Sequence, residues 1–435
     1  MKIEVISNPA PSSWPALCKR PVFDFSELQK TVREIMDQVS TRGDAALLDY
    51  CRKFDGVQSD QFQLKVSKEE FADAEVLVSE PLKKAIGTAL SNIRAFHQAQ
   101  KTEDFELETM PGVVCSRKSV AIESVGLYVP GGSAPLFSSL LMLGVPAIIA
   151  GCEQIVVCTP PSDEGKLDPT ILYTASLLGI DNVFKVGGAQ AIAAMGRGTQ
   201  SIPRVFKIFG PGNQYVNCAK LNSYLDNIAI DLPAGPSEVA VVADSSSDAS
   251  FIAADLLSQA EHGPDSQVVL VCDSLPMVEE VQTELSSQLE ALPRANVASQ
   301  ALFNSRAVVF DDLDRGMDFI NLYAPEHLII CTEDAESRAQ EVINAGSVFV
   351  GPWSPESVGD YASGTNHTLP TAAAARAWSG VSLDSFCKKI TFQTLSKQGL
   401  ISLGPTVEMM AEAESLQAHK NAVSIRLKSL EKENG

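Results

Sequence analysis

Two hydrophobic periods alternate through the middle of this chain. Short runs rich in Val, Ile and Phe are QIVVCTP (154–160), NVFKVGG (182–188), RVFKIFG (204–210), SEVAVVAD (237–244), QVVLVCD (267–273), RAVVFDD (306–312) and HLIICT (327–332). Several are apolar at nearly every position, as strands covered on both faces are. Between them lie helical stretches such as DPTILYTASLLG, GAQAIAAMGRG, NQYVNCAKLNSYLD, DASFIAADLLSQAEHG and MVEEVQTELSSQLEAL. Strand, helix and strand repeated this often predict an α/β fold with parallel sheets and crossover helices. Two such units are predicted, one over 128–237 and one over 238–370.

Upstream, 25–54 and 67–100 read as well-charged helices. Leu28, Val32, Ile35 and Val39 mark one apolar stripe, Ser26 is a plausible N-cap, and Gly43 breaks the run. These helices, within 21–127, are expected to join the 238–370 unit. Residues 1–20 are Pro-rich and irregular and are expected to pack with the tail. From 371 the chain is Ala-rich, then polar, and ends in a predicted charged amphipathic helix over 406–433. No fixed short repeat or low-complexity segment interrupts this order.

Composition narrows the function classes. The chain has 435 residues, 45% hydrophobic and 20% charged, with a net charge of −20. A chain this acidic repels phosphate backbones and anionic bilayers, so no nucleic-acid or membrane partner is expected. Nine cysteines without a CxxC pair argue against a disulfide framework or a thiolate zinc cluster. With no apolar leader at the N-terminus, a reduced, cytoplasmic setting is expected. Residues 124–152 carry no charge at all, but Pro130, Pro135, Pro146 and Gly131-Gly132 interrupt them. Uncharged loops and buried parallel strands fit that stretch better than a membrane span.

Histidine is the sharpest chemical signal, because there are only five. His97, in SNIRAFHQAQ, has no ligand-type neighbours and reads as structural. His262 closes a helix before Gly263-Pro264, with Gln259 three residues earlier on the same face. That pair can grip one cation, but a histidine in a last turn also simply complements the helix dipole. Glu326 and His327 enter an apolar strand after Pro325. An acid and a base adjacent in a rigid loop suit proton transfer, while a strand-entry histidine bonded to backbone is the plainer alternative. The polar segment 354–370 gathers Glu356, Asp360 and His367 and is either solvated or functional. His419 follows Glu414 by five residues, one and a half helical turns if the helix is continuous, and otherwise reads as a solvated face.

Glycine-rich turns are the second signal: LYVPGGSAPL (127–136), KVGGAQAIAA (185–194), IFGPGNQYV (208–216) and DLPAGPSEV (231–239). KVGG and IFGPG each follow an apolar strand and open a helix, which is where α/β sheets bind ligands. None matches the GxGxxG dinucleotide fingerprint.

These strings, together with LLSQAEHGPDSQ, APEHLII, GSVFVG, WSPES, GDYASGTNH and AHKNAV, resemble the histidinol dehydrogenase family over nearly the whole chain. The resemblance implies two incomplete Rossmann-like domains with small N- and C-terminal segments, in a homodimer. It implies oxidation of L-histidinol to L-histidine, the last step of histidine biosynthesis, through bound L-histidinaldehyde with reduction of two NAD. It places one zinc ion on Gln259, His262, Asp360 and His419, and acid–base work on Glu326 and His327. Substrate contacts fall on Ser237, Gln259, His262, His327, Asp360, His367, Glu414 and His419, and NAD contacts on Tyr128, Gln190 and Asn213. The family pattern also implies that the tail, with Glu414 and His419, is exchanged between partners. A zinc hydrolase, with Glu326 activating a metal-bound water, and a non-catalytic nucleotide-binding protein are the alternatives from other classes.

Overall fold

The computed structural model describes residues 3–20, 25–131, 135–233 and 235–434. The chain forms two compact units, one of residues up to 100 with 122–386, the other of 101–121 with 387–435. The larger unit holds two parallel sheets. The first has six strands in the order Glu4–Ser7, Arg306–Val309, Gln267–Cys272, Glu238–Ala243, His327–Cys331 and Ser347–Val350. The second has five, in the order Val183–Lys185, Gln154–Thr159, Ser124–Tyr128, Lys207–Phe209 and Ala229–Ile230. Every residue of Glu238–Ala243, Gln267–Cys272 and His327–Cys331 is buried, which is why these strands read as unbroken apolar runs. The α/β class and the run of predicted strands and crossover helices are present.

The structure places several segments differently. Helix Phe25–Arg42 shares a core with Gly188–Arg197, and helix Glu80–Ala99 shares one with Phe137–Ala150. The N-terminal helices therefore cover the five-stranded sheet and do not join the 238–370 unit. An amphipathic stripe fixes that a helix face is buried, not which sheet buries it. The side chain of Ser26 lies outside the described residues. Residues 4–7 are not irregular but extend the six-stranded sheet, pairing parallel with Arg306–Val309. The uncharged stretch is strand Ser124–Tyr128 followed by a buried helix, Phe137–Ala150, which carries Pro146 inside it. No described helix is long and apolar enough to cross a membrane.

The smaller unit is not purely helical. Cys387–Leu395 pairs antiparallel with Val113–Ala121, which pairs with Phe105–Met110. Residues 101–121 thus leave the predicted Rossmann-like domain, and 371–386 stay in the larger unit. These strands mix Lys, Arg and Glu with apolar residues and are mostly exposed or half-buried, so they lack the apolar runs that marked the central strands. The final helix is two, Lys397–Ala413 and Gln417–Asn434, separated at Ser415, whose φ is +59°.

Candidate functional site

Helix Leu313–Tyr323 ends at Ala324 in the left-handed region (φ +53°), and Pro325 turns the chain into strand His327–Cys331. That junction buries Glu326 and His327 at the amino end of the strand. Both side chains are held by the backbone of Glu238, the first residue of the neighbouring strand. The Glu238 N–H donates to Glu326 Oε2 at 2.8 Å, and the Glu238 carbonyl lies 3.2 Å from His327 Nδ1. A carbonyl only accepts, so Nδ1 carries a proton. The opposite nitrogen, Nε2, is buried without a hydrogen-bond partner and lies 3.4 Å from Asp360 Oδ1. Burial by itself would keep the His327 ring neutral, but Glu326, Asp360 and Glu356 outweigh it and raise its pKa well above the histidine range. Burial raises the Glu326 carboxyl above its usual value, against the pull of His327.

Glu238 is itself fixed. The Arg20 guanidinium donates to both of its carboxylate oxygens at 2.9 Å, lies 3.7 Å over the Tyr323 ring, and the Ala372 N–H donates to it at 2.8 Å. Ser237 directly precedes it, its carbonyl accepting from Gln267 N at 3.1 Å.

Gln259 ends helix Ala249–Ala260, and His262 follows one residue past its cap, bonded back to the Gln259 carbonyl at 3.2 Å. The one-turn helix Glu356–Tyr361 presents Glu356 and Asp360 four residues apart on one face. Ligand atoms of His262, Glu356 and Asp360 all lie within 4.8 Å of one another. The Gln259 side-chain oxygen faces the Glu356 carboxylate at 2.5 and 3.3 Å, acceptor against acceptor. Turning the amide over lets its NH2 donate to Glu356 and its oxygen accept from Glu238 N at 3.0 Å. In the first orientation only a cation or a proton reconciles the two oxygens. A histidine, two carboxylates and an amide oxygen are a donor set that suits a divalent ion.

His367 closes the same region. Its Nδ1 lies 3.0 Å from the Asp360 carbonyl and its Nε2 3.1 Å from Ser139 Oγ. Burial lowers its pKa, so the ring is neutral and Nε2 accepts from the hydroxyl. His97 is buried, Nδ1 bonded to the Ile93 carbonyl at 2.8 Å, and serves its helix.

Three of the glycine turns, at 127–136, 185–194 and 208–216, line a separate cavity of about 1040 Å³ at the carboxyl ends of the five-stranded sheet. Tyr128, Gln190 and Asn213 all line it, with Lys53, Asp55 and Lys166. The Gly188 N–H donates to Tyr128 Oη at 3.1 Å, and Asn213 Oδ1 caps helix Gln214–Leu225 by accepting from Tyr215 N and Val216 N at 3.0 and 3.2 Å. Glu414 and His419 belong to the smaller unit. Both are exposed, and the turn at Ser415 divides them, so they do not share one continuous helix.

A histidinol dehydrogenase family model matches residues 18–427. The chain is 53% identical to the histidinol dehydrogenase of Bacteroides thetaiotaomicron over 428 residues, 98% of this chain and 100% of that one. It is 51% identical to that of Escherichia coli over 420 residues, 96% and 95% of the two chains. The crystal structure of histidinol dehydrogenase from Elizabethkingia anophelis superposes with a TM-score of 0.96 at 51% identity, covering 99% of each chain. The chain belongs to the histidinol dehydrogenase family. It is therefore an NAD-dependent oxidoreductase. Three residues of this histidinol dehydrogenase fold escaped sequence reasoning altogether, Arg20, Ser139 and Glu238, while Glu356 is singled out in the polar segment 354–370 but given no role. None of the three carries a local sequence signal of its own.

Proposed function

We propose that this chain oxidises L-histidinol to L-histidine at the cluster described above, using two NAD in succession. Alcohol to carboxylate removes four electrons, and each NAD accepts two as hydride, so two cofactors must be used in turn for one substrate. The observation that carries the reading is the pairing of Glu326 and His327 on the Glu238 backbone, beside His262 and Asp360. His327 Nε2, without a protein hydrogen bond, takes the hydroxyl proton as the first hydride leaves. The aldehyde stays bound while Glu326 draws a proton from water and protonated His327 returns its proton to the carbonyl oxygen, giving the gem-diol. His327 then accepts the proton released with the second hydride. Zinc, which Gln259, His262, Asp360 and His419 would hold, would clamp the imidazole and amine of the substrate and offset the carboxylate charge that raises the His327 pKa. Ser237, His367 and Glu414 complete the substrate contacts, and the cavity at Tyr128, Gln190 and Asn213 is where NAD binds in this reading. The reading includes a homodimer in which each tail lends Glu414 and His419 to the partner's site.

The test is absorbance at 340 nm on adding histidinol and NAD, with and without a chelator. Two NADH per histidine formed, abolished by the chelator and restored by zinc, is the expected result. Turnover of a ligand at this site without any absorbance change would point to the zinc hydrolase instead.

A further inference from the structure

Glu356 is buried at 1% exposure and no step of the proposed reaction uses it. Its carboxylate sits in an unfavourable setting. Burial penalises its charge, His327 attracts it, and Asp360, Glu326 and Asp255 act on it with like charge. Ser258 Oγ donates to it over a long 3.4 Å, and the Gln259 amide, turned over, donates its NH2 to it at 2.5 Å. Buried carboxylates gathered this closely call for compensation, and the turned-over Gln259 NH2 supplies only part of it. Two further observations point to a cation. Glu356, Asp360 and His262 bring their ligand atoms within 4.8 Å, and the unpartnered His327 Nε2, itself buried, is aimed at Asp360. Gln259, on the other side of Glu356, closes the ring of donors.

We propose that Glu356 is a further acidic member of the divalent-cation site, facing the ion together with Gln259, His262 and Asp360. This rests on the reading of those residues as a metal centre. The one-turn helix that carries it explains how: Asp360 and Glu356 stand four residues apart on one face, so both carboxylates reach the same point. Its charge has opposite consequences in the two states of the protein. Without the ion, the buried Glu356 carboxyl stands beside Asp360 and Glu326 with little to compensate it, which costs stability. With the ion, the same charge lowers the energy of the complex. A residue that only packs the core does not show this reversal of sign.

The experiment uses the full chain and zinc alone as probe. Glu356→Gln keeps the shape and removes the charge. Zinc affinity is measured by competition with a chelating dye, and the melting temperature is measured on zinc-free and zinc-loaded protein. Ligand-shell changes of this kind weaken metal binding by roughly 10–100-fold. The expected result is a loss in that range, with the zinc-free variant melting no lower than the zinc-free parent. An affinity within about twofold of the parent overturns the proposal, as does a zinc-free variant that melts lower and loses affinity only through that instability. Glu356→Asp, which keeps the charge and withdraws it by one methylene, should bind zinc between the two. Should the glutamine variant not fold, parent-like affinity in the aspartate variant overturns the proposal. A parent protein that takes up no zinc defeats the metal-centre reading itself, a result distinct from parent-like binding in the variants.

Discussion

Glu326 and His327 are neighbours in sequence but are anchored by different atoms of one residue, the N–H and the carbonyl of Glu238. In the proposed reaction that arrangement separates their tasks, leaving one Glu326 oxygen for water and His327 Nε2 for the substrate. Glu326→Gln should leave the alcohol-to-aldehyde step largely intact and slow the aldehyde-to-acid step by about 100-fold or more. His327→Asn should impair both. Supplying histidinal directly isolates the second step, and normal oxidation of histidinal by the Glu326 variant would remove Glu326 from its role. Asp255, also buried, gives a pH prediction. Burial pushes its carboxyl up to about 7, against about 3.9 in an unfolded chain. The folded state thus favours the protonated form. The resulting penalty grows as pH rises from about 4 to 7 and is constant above, with a ceiling of about 4 kcal/mol. Asp255→Asn lacks this penalty. Its melting temperature should exceed the parent's at pH 8, and the gap should narrow toward pH 4. A gap that does not change with pH would show that Asp255 does not titrate in this way.

At the scale of elements, turns do more for the ligand cavity than the strands they follow. Gly210 in IFGPGN has φ +131°, and a Cβ there would run into the carbonyl oxygen of Tyr128. Its N–H is held by Asp231 Oδ2 at 2.8 Å and its carbonyl by Lys220 Nζ at 2.9 Å, so the turn has little room to adjust. Gly210→Ala should cost about 1–3 kcal/mol of stability by urea titration. Because Tyr128 lines the cavity, NAD affinity should fall with it. Unchanged stability would mean that the turn relaxes freely. The predicted turn was legible because strand, glycine and helix follow in order. Its partner across the sheet was not, because the string says nothing about which strand lies beside it.

The whole molecule raises the question of the tail. Glu414 and His419 lie exposed on the smaller unit, on either side of a turn and with no buried role of their own. Exchange of such an element is a simple route to a two-fold dimer. Two inactive variants, His327→Asn and His419→Asn, can be unfolded and refolded together. Under exchange, a mixed dimer has one doubly damaged site and one intact site. Random pairing makes about half the dimers mixed, so roughly a quarter of the parent activity should return. Mixed dimers that form but stay inactive would show that each tail serves its own body.

The linear order of residues determined the α/β class, the central strands with their crossover helices, and the ligand types at Gln259, His262, Glu326, His327 and Asp360. These follow from local rules, since hydrophobic period, turn chemistry and donor type are written in neighbouring residues. Only the tertiary structure decided that helices 25–99 cover the five-stranded sheet, that residues 4–7 extend the other, and that 113–121 pair with 387–395. It also decided that Glu238, held by Arg20 from 218 positions away, anchors the side chains of Glu326 and His327. Those outcomes depend on which surfaces meet after the chain has closed long loops, and a backbone N–H or carbonyl that positions a side chain leaves no mark in residue identity.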